Sequence, residues 1–152
     1  MFVLKAVRYA LFDVIADAGI SIDIAGIPTA VTVEKNPPSG GWLPDDALPG
    51  VYLFMRREVI EPEARRVDLR TITANVILQA RGGRLDVVDQ VDDMQEAIEV
   101  LIASDPTLGG KVRQIRLTDS EIQLERGAVV FAARRLTFEI KASVERSAPT
   151  IV

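Results

Sequence analysis

The sequence predicts an α+β domain in which two helices pack on one face of a mostly antiparallel sheet, in the order α-β-β-β-α-β-β-β. Two periodicities carry that reading. Apolar residues recur at three- and four-residue spacing in one segment at the start of the chain and in another past its middle, and at every second residue in the strands around them. The length agrees: 152 residues, 48% of them hydrophobic, suit one core, so residues 1–152 are read as a single domain.

The first helix is read over roughly residues 2–18. Val3, Leu4, Val7, Leu11, Val14, Ile15 and Ala18 share one face, Lys5, Arg8, Asp13 and Asp17 fall elsewhere, and Gly19 supplies the stop. Residues 20–26 form a loop or short strand. Residues 29–34 have the β-branched composition of a strand, which ends at Asn36-Pro37-Pro38-Ser39-Gly40-Gly41. Between residues 36 and 50, prolines 37, 38, 44 and 49 and glycines 40, 41 and 50 surround the only tryptophan, so a long exposed loop is predicted with Trp42 and Leu43 at its tip. Those two side chains either fold back over the domain's own core or meet a partner.

Two long strands follow. Val51 to Val59 is strand-like, residues 60–64 turn, and Val67 to Ala80 returns as the second half of a half-buried antiparallel hairpin. In that return Ile72, Ala74, Val76 and Leu78 face one way and Thr71, Thr73, Asn75 and Gln79 the other. The hairpin is longer than a domain of this size needs and is expected to extend the sheet or project toward a neighbour. The second helix holds Leu85, Val88, Val91, Met94 or Gln95, Ile98, Leu101 and Ile102 in register. On its opposite side Asp86, Asp89, Asp93 and Glu96 form an acidic stripe. A line of carboxylates along a helix diverges, whereas a hard cation needs six or more converging oxygens, so the stripe reads as a solvated face or a charged contact with a neighbour.

Ser104 to Gly110 closes this helix, and the remaining third is β again. Residues 112–117 and 121–124 are short strands separated by a turn at Thr118-Asp119-Ser120, and a turn at Glu125-Arg126-Gly127 leads to a strand from Val129 to about Val144. In the last strand Leu136, Phe138, Ile140 and Ala142 alternate with Thr137, Glu139 and Lys141. From Glu145 a loose tail is predicted.

Composition then excludes most chemistry. With neither cysteine nor histidine there is no disulfide, no thiolate or imidazole metal site, and no catalysis built on either residue. The balance of 18 Lys+Arg against 22 Asp+Glu, net −4, disfavours a protein whose affinity comes from neutralising phosphates. No apolar run approaches the length of about 18 residues that spans a bilayer, and neither a signal peptide, nor a membrane partner, nor sequence-specific nucleic-acid binding is expected. Gly109-Gly110-Lys111 lacks the spacing of a phosphate loop, and Asp45-Asp46 and Asp92-Asp93 stand in polar or turn settings that keep carboxylates solvated. No catalytic, cofactor or metal site is assigned.

Three dipeptides, Arg56-Arg57, Arg65-Arg66 and Arg134-Arg135, stand in or beside strands. Consecutive strand residues point to opposite faces, so one arginine of each pair leaves the helix-covered side. They are either surface charges that guard sheet edges or partners for the acidic stripe of another copy.

The run Asp105-Pro106-Thr107-Leu108-Gly109-Gly110-Lys111-Val112, then Ile115, Leu117, Glu121, Gly127 and the closing Ala133-Arg134-Arg135-Leu136-Thr137-Phe138-Glu139-Ile140, resembles the C-terminal half of tail terminator or tail-completion (minor tail) proteins of long-tailed bacteriophages and related phage-derived particles. The likeness covers roughly residues 84–142 and rests on element order before them. It implies a structural virion protein, not an enzyme, that forms a homohexameric ring on the last ring of the tail tube, ends tube polymerisation and offers a surface for head attachment. The implied partners are other copies of the chain, the tail tube protein and neck or connector proteins, with DNA passing through the lumen. The implied site is the head-proximal end of the tail, after assembly in the host cytoplasm. A head-to-tail ring joins two different patches of one chain. The acidic stripe and the arginine pairs are the candidates, with Trp42 and Leu43 as contacts to tube or neck. The alternative is a neck or head-completion adaptor that binds the portal or connector without controlling tail length. A small carboxylate enzyme would instead require a pocket gathering two or more of Asp45, Asp46, Glu58 and Glu61.

Overall fold

Two amphipathic helices lie across one face of a five-stranded sheet in the computed structural model, which describes residues 2–125, 129–147, 149 and 151, the side chains at 84 and 85 excepted. The elements are α1 (Val3–Asp17), β1 (Ser21–Ile24), β2 (Ile27–Ala30), β3 (Thr32–Glu34), β4 (Gly50–Ala64), β5 (Val67–Gly82), α2 (Arg84–Ser104), β6 (Gln114–Glu125) and β7 (Val130–Glu145). The sheet order is β3-β4-β5-β7-β6, antiparallel except where β3 runs beside β4, and β1 and β2 form a separate hairpin. The chain is thus α+β with a mostly antiparallel sheet, as its periodicities predict.

Helical spacing explains the upper half of the core. α1 buries Val3, Val7, Leu11 and Ile15, and α2 buries Val87, Val91, Met94, Ile98 and Ile102, each set one stripe wide. The stripe of α2 centres on Val87 and leaves Val88 at its margin, a small rotation from the expected face. Leu85, the other predicted member, has its side chain outside the described residues. Beneath the helices, Ile72, Ala74 and Val76 of β5 stand opposite Ile140, Phe138 and Leu136 of β7. The small Ala74 leaves room for the Phe138 ring, the pairing of large with small that dense packing requires.

Several boundaries differ from the sequence reading, each for a local reason. The chain between residues 20 and 34 makes a tight hairpin, with Ala25 (φ 53°) and Gly26 (φ 80°) as the two left-handed residues of its turn, and then β3. β4 does not turn at Ile60. It continues through Pro62 to Ala64, and the two-residue turn is Arg65-Arg66. β3 covers only Gly50 to Tyr52, so Pro62 lies on a free edge, where proline is tolerated in a sheet. The two short strands expected after residue 112 are one strand, β6. The turn residues Thr118 and Asp119 form a bulge in it, where the Thr118 hydroxyl donates to the Thr137 carbonyl at 3.1 Å. Arg126 and Gly127 of the next expected turn lie outside the described residues.

In place of the loose tail expected from Glu145, the described residues there are held at two points. Ile151 bridges Val144, and the Pro149 carbonyl accepts the Val3 amide at 3.1 Å, which satisfies one of the orphan donors that any helix start exposes. At the other end of the helix layer, the 105–110 turn closes α2. The Asp105 carboxylate accepts the Gly109 amide (2.9 Å), the Thr107 hydroxyl accepts the Gly110 amide (3.1 Å), and Leu108, left-handed at φ 49°, enters the core. Phe138 is 1% exposed and touches the middle of this core. Phe138→Ala is expected to lower the unfolding free energy by about 3–5 kcal/mol, read as a shift in the urea midpoint with unchanged slope.

Candidate functional site

Alternation along β4 and β5 leaves Tyr52, Ile77 and Gln79 on the sheet face away from the helices, and an apolar patch there needs a cover. The 36–50 loop supplies it. Leu43, 5% exposed, packs on Tyr52 and Ile77 in a second, smaller cluster. Gln79, 1% exposed, anchors the loop twice: its amide nitrogen donates to the Gly41 carbonyl and its oxygen accepts the Leu43 amide, both at 2.8 Å. The Tyr52 hydroxyl donates to the same Gly41 carbonyl at 2.7 Å, and burial raises the pKa of that phenol above its ordinary value of 10.0. Gly50 lies so close under the loop that a Cβ there would stand 2.4 Å from the Ala47 carbonyl oxygen.

The loop is therefore exposed along much of its backbone but pinned at its centre, and the expectation of a partner contact for Leu43 gives way to a place in its own chain's core. Trp42 is half-buried, edge-on to Phe131 with centroids 5.8 Å apart, and walls a cleft of about 240 Å³ with Tyr52, Glu121 and Arg135.

The structure also divides the three arginine pairs. Arg134 points to the helix side and binds Asp92 and Gln95 of α2, while Arg135 points to the open face and binds Glu121 at 2.6 Å. This pair was a candidate for contact with another copy. The register that sets Glu121 opposite Arg135, with α2 lying over Arg134, gives both guanidinium groups partners at home instead.

Arg56-Arg57 and Arg65-Arg66 behave differently. All four are exposed on the distal half of the β4–β5 hairpin, beside Val59 (37% exposed) and Ile60 (51% exposed). The carboxylates nearby are already engaged: Glu58 by Arg70 at 3.1 Å, Asp68 by Arg146 at 2.8 Å, and Glu63 by Ser143 at 2.8 Å and by Arg113. The hydrogen bond from Ser143, then Arg113, holds the Glu63 carboxyl below its ordinary pKa. Among the described residues, Arg56, Arg57, Arg65, Arg66 and Glu61 are in no ion pair, so the tip carries a net positive excess.

The acidic stripe lies elsewhere. Asp86, Asp89, Asp93 and Glu96 are all exposed on α2 and likewise enter no ion pair among the described residues. Among those residues no three acidic side chains converge as metal donors. The enzymatic alternative gains no pocket either: Asp45 pairs with Arg81 at 2.9 Å on the loop-covered face, and Glu58 pairs with Arg70 on the helix face.

Gln79 is the loop anchor that pattern reading missed. On the outer face of a strand it looks like any surface amide, and only the approach of a loop 36 residues away in sequence makes it an anchor. Gln79→Ala leaves the Leu43 amide buried without an acceptor. It is expected to cost about 1–3 kcal/mol in urea unfolding and to shift the emission of Trp42 to the red. A second expectation follows from Tyr52. Its folded-state pKa is raised, so its contribution is fully present below pH 10 and is lost as pH rises through the folded pKa; Tyr52→Phe should flatten the alkaline limb of a stability-against-pH curve. No protein-family model and no curated protein sequence matches this chain.

Proposed function

We propose that the chain is the tail terminator subunit of a long-tailed bacteriophage or of a related phage-derived particle. In this reading it closes as a ring, hexameric as in the family it resembles, on the head-proximal end of the tail tube. The ring stops tube polymerisation and presents a surface to neck or connector proteins, and DNA passes through its lumen. The observation that carries the reading is the separation of unanswered charge into two patches of one chain. Among the described residues, arginines in no ion pair cluster on the hairpin tip, and carboxylates in no ion pair line α2. Unlike patches on one subunit make heterologous contacts, and such contacts close rings when the rotation between copies closes.

The mechanism needs no chemistry. A tube grows because the top of each ring matches the bottom of the next. A subunit whose lower surface fits the tube end and whose upper surface does not repeat it ends the series, and leaves a new surface for the head. The likeness of residues 105–112 and 133–140 to tail terminators supports the choice of tube over other ring assemblies.

The deciding experiment removes the gene from a strain that produces the particle. Tubes of irregular length without heads are expected in electron micrographs, whereas tails of normal length lacking heads would favour the adaptor that binds a portal or connector. In solution, the purified chain mixed with tube protein is expected to form rings by negative stain and native mass measurement. A chain that stays monomeric alone and with tube protein would overturn the proposal.

A further inference from the structure

We infer that each subunit seats the tip of its β4–β5 hairpin in a groove on the helix layer of the next copy. The inference rests on the ring reading and specifies its contact. The groove, about 620 Å³, runs between the end of α1, β1 and the outer side of α2. Its floor is apolar, with Ile20, Leu101 and Val100, the last 63% exposed to solvent, and its rim is acidic, with Asp23, Asp93 and Glu96. Among the described residues, no lysine or arginine lines it.

The hairpin tip is the complement in both respects. Ile60, on the helix-side face of β4, offers apolar area for the floor, and Arg65 and Arg66 at the turn offer guanidinium groups for the rim, where planar forks suit carboxylates. Arg66 adds an independent observation. It holds a left-handed backbone conformation at φ 67°, where glycine or asparagine would turn the chain at lower cost, so an arginine there is explained by its charge more readily than by the turn.

The tip cannot reach its own groove. Phe2 lies beside Arg70 of the hairpin, 5.8 Å from guanidinium carbon to ring centroid, while Ala18 lines the groove. Between them runs α1, 15 residues and so about 22 Å long. β7 also pairs with β5 down to Val67, which keeps the hairpin extended. The contact is therefore between copies and joins unlike surfaces. β6, the other free edge, is a poorer partner, because its bulge interrupts the ladder and Arg135 already pairs with Asp119 and Glu121.

The chain has no cysteine, so Ile60→Cys combined with Val100→Cys introduces the only thiols, both at exposed positions. Oxidation of this double variant, alone and with tube protein, is expected to give a ladder of disulfide-linked oligomers. Each single variant should give at most a dimer. In parallel, Arg65→Glu with Arg66→Glu, or Asp93→Lys with Glu96→Lys, should weaken assembly at least about tenfold, and the four changes together should restore most of it. Circular dichroism and thermal melts of each variant establish that the fold is kept. Absence of the ladder, unweakened assembly of either reversal, or a swap that fails to rescue would overturn the docking contact. Irregular tails on gene removal with no ladder would sink the contact and leave the terminator reading standing. A full ladder with normal tails on gene removal would do the reverse.

Discussion

Strand β5 is hydrogen-bonded on both sides, and from Ala74 to Ala80 every one of its residues is buried, so both faces of the sheet must be covered along that stretch. The helices meet the condition on one face. On the other, where Ile77 and Gln79 point away from them, the proline-rich loop is laid across. Much of the rest follows from that constraint. Leu43 is an inner residue and not a free tip, Trp42 leans on Phe131, and Gly50 has no room for a side chain. Two short 3-10 turns satisfy some of the loop's backbone groups, and the buried side-chain amide of Gln79 satisfies the Gly41 carbonyl and the Leu43 amide from the strand below.

The same sheet explains why the surface charges divide as they do. Where three strands and a helix converge, a guanidinium finds a carboxylate within its own chain, and Arg134 and Arg135 are both neutralised there. Toward the tip of the β4–β5 hairpin the molecule thins to a few strands, and arginines outnumber the carboxylates left over. Charge is therefore unanswered at the periphery in one sign and on the outer side of α2 in the other. Exposed ion pairs within a chain contribute little to its stability, whereas the same groups set apart on two surfaces give direction and register to association.

Most of the fold was legible in the sequence because its signals are local. The stripe of α1 and the alternation of Ile72, Ala74, Val76 and Leu78 each need only neighbouring residues to be read. The features that were not legible depend on distant partners. Glu61, Pro62 and Glu63 look like a turn, and they extend β4 only because Asp68 and Leu69 lie opposite them. Thr118-Asp119-Ser120 likewise looks like a turn and is a bulge because β7 continues past it. For the candidate site, the exposed arginines and the acidic stripe could be read as types of residue. Which arginines were already satisfied could not, since Arg134 meets Asp92 across 42 residues of chain.

The hydrogen bond between Val3 and the Pro149 carbonyl has a topological consequence. It brings the two ends of the described chain to one spot, next to Phe2 and the distal half of the hairpin, and away from the groove beside Ala18. The described ends lie together at the start of α1, the far end of that helix from the groove. The backbone is thus nearly a closed circle, so a short linker between its ends, with a new opening in an exposed turn such as Ala25-Gly26, would rewire the order of the elements without moving any of them.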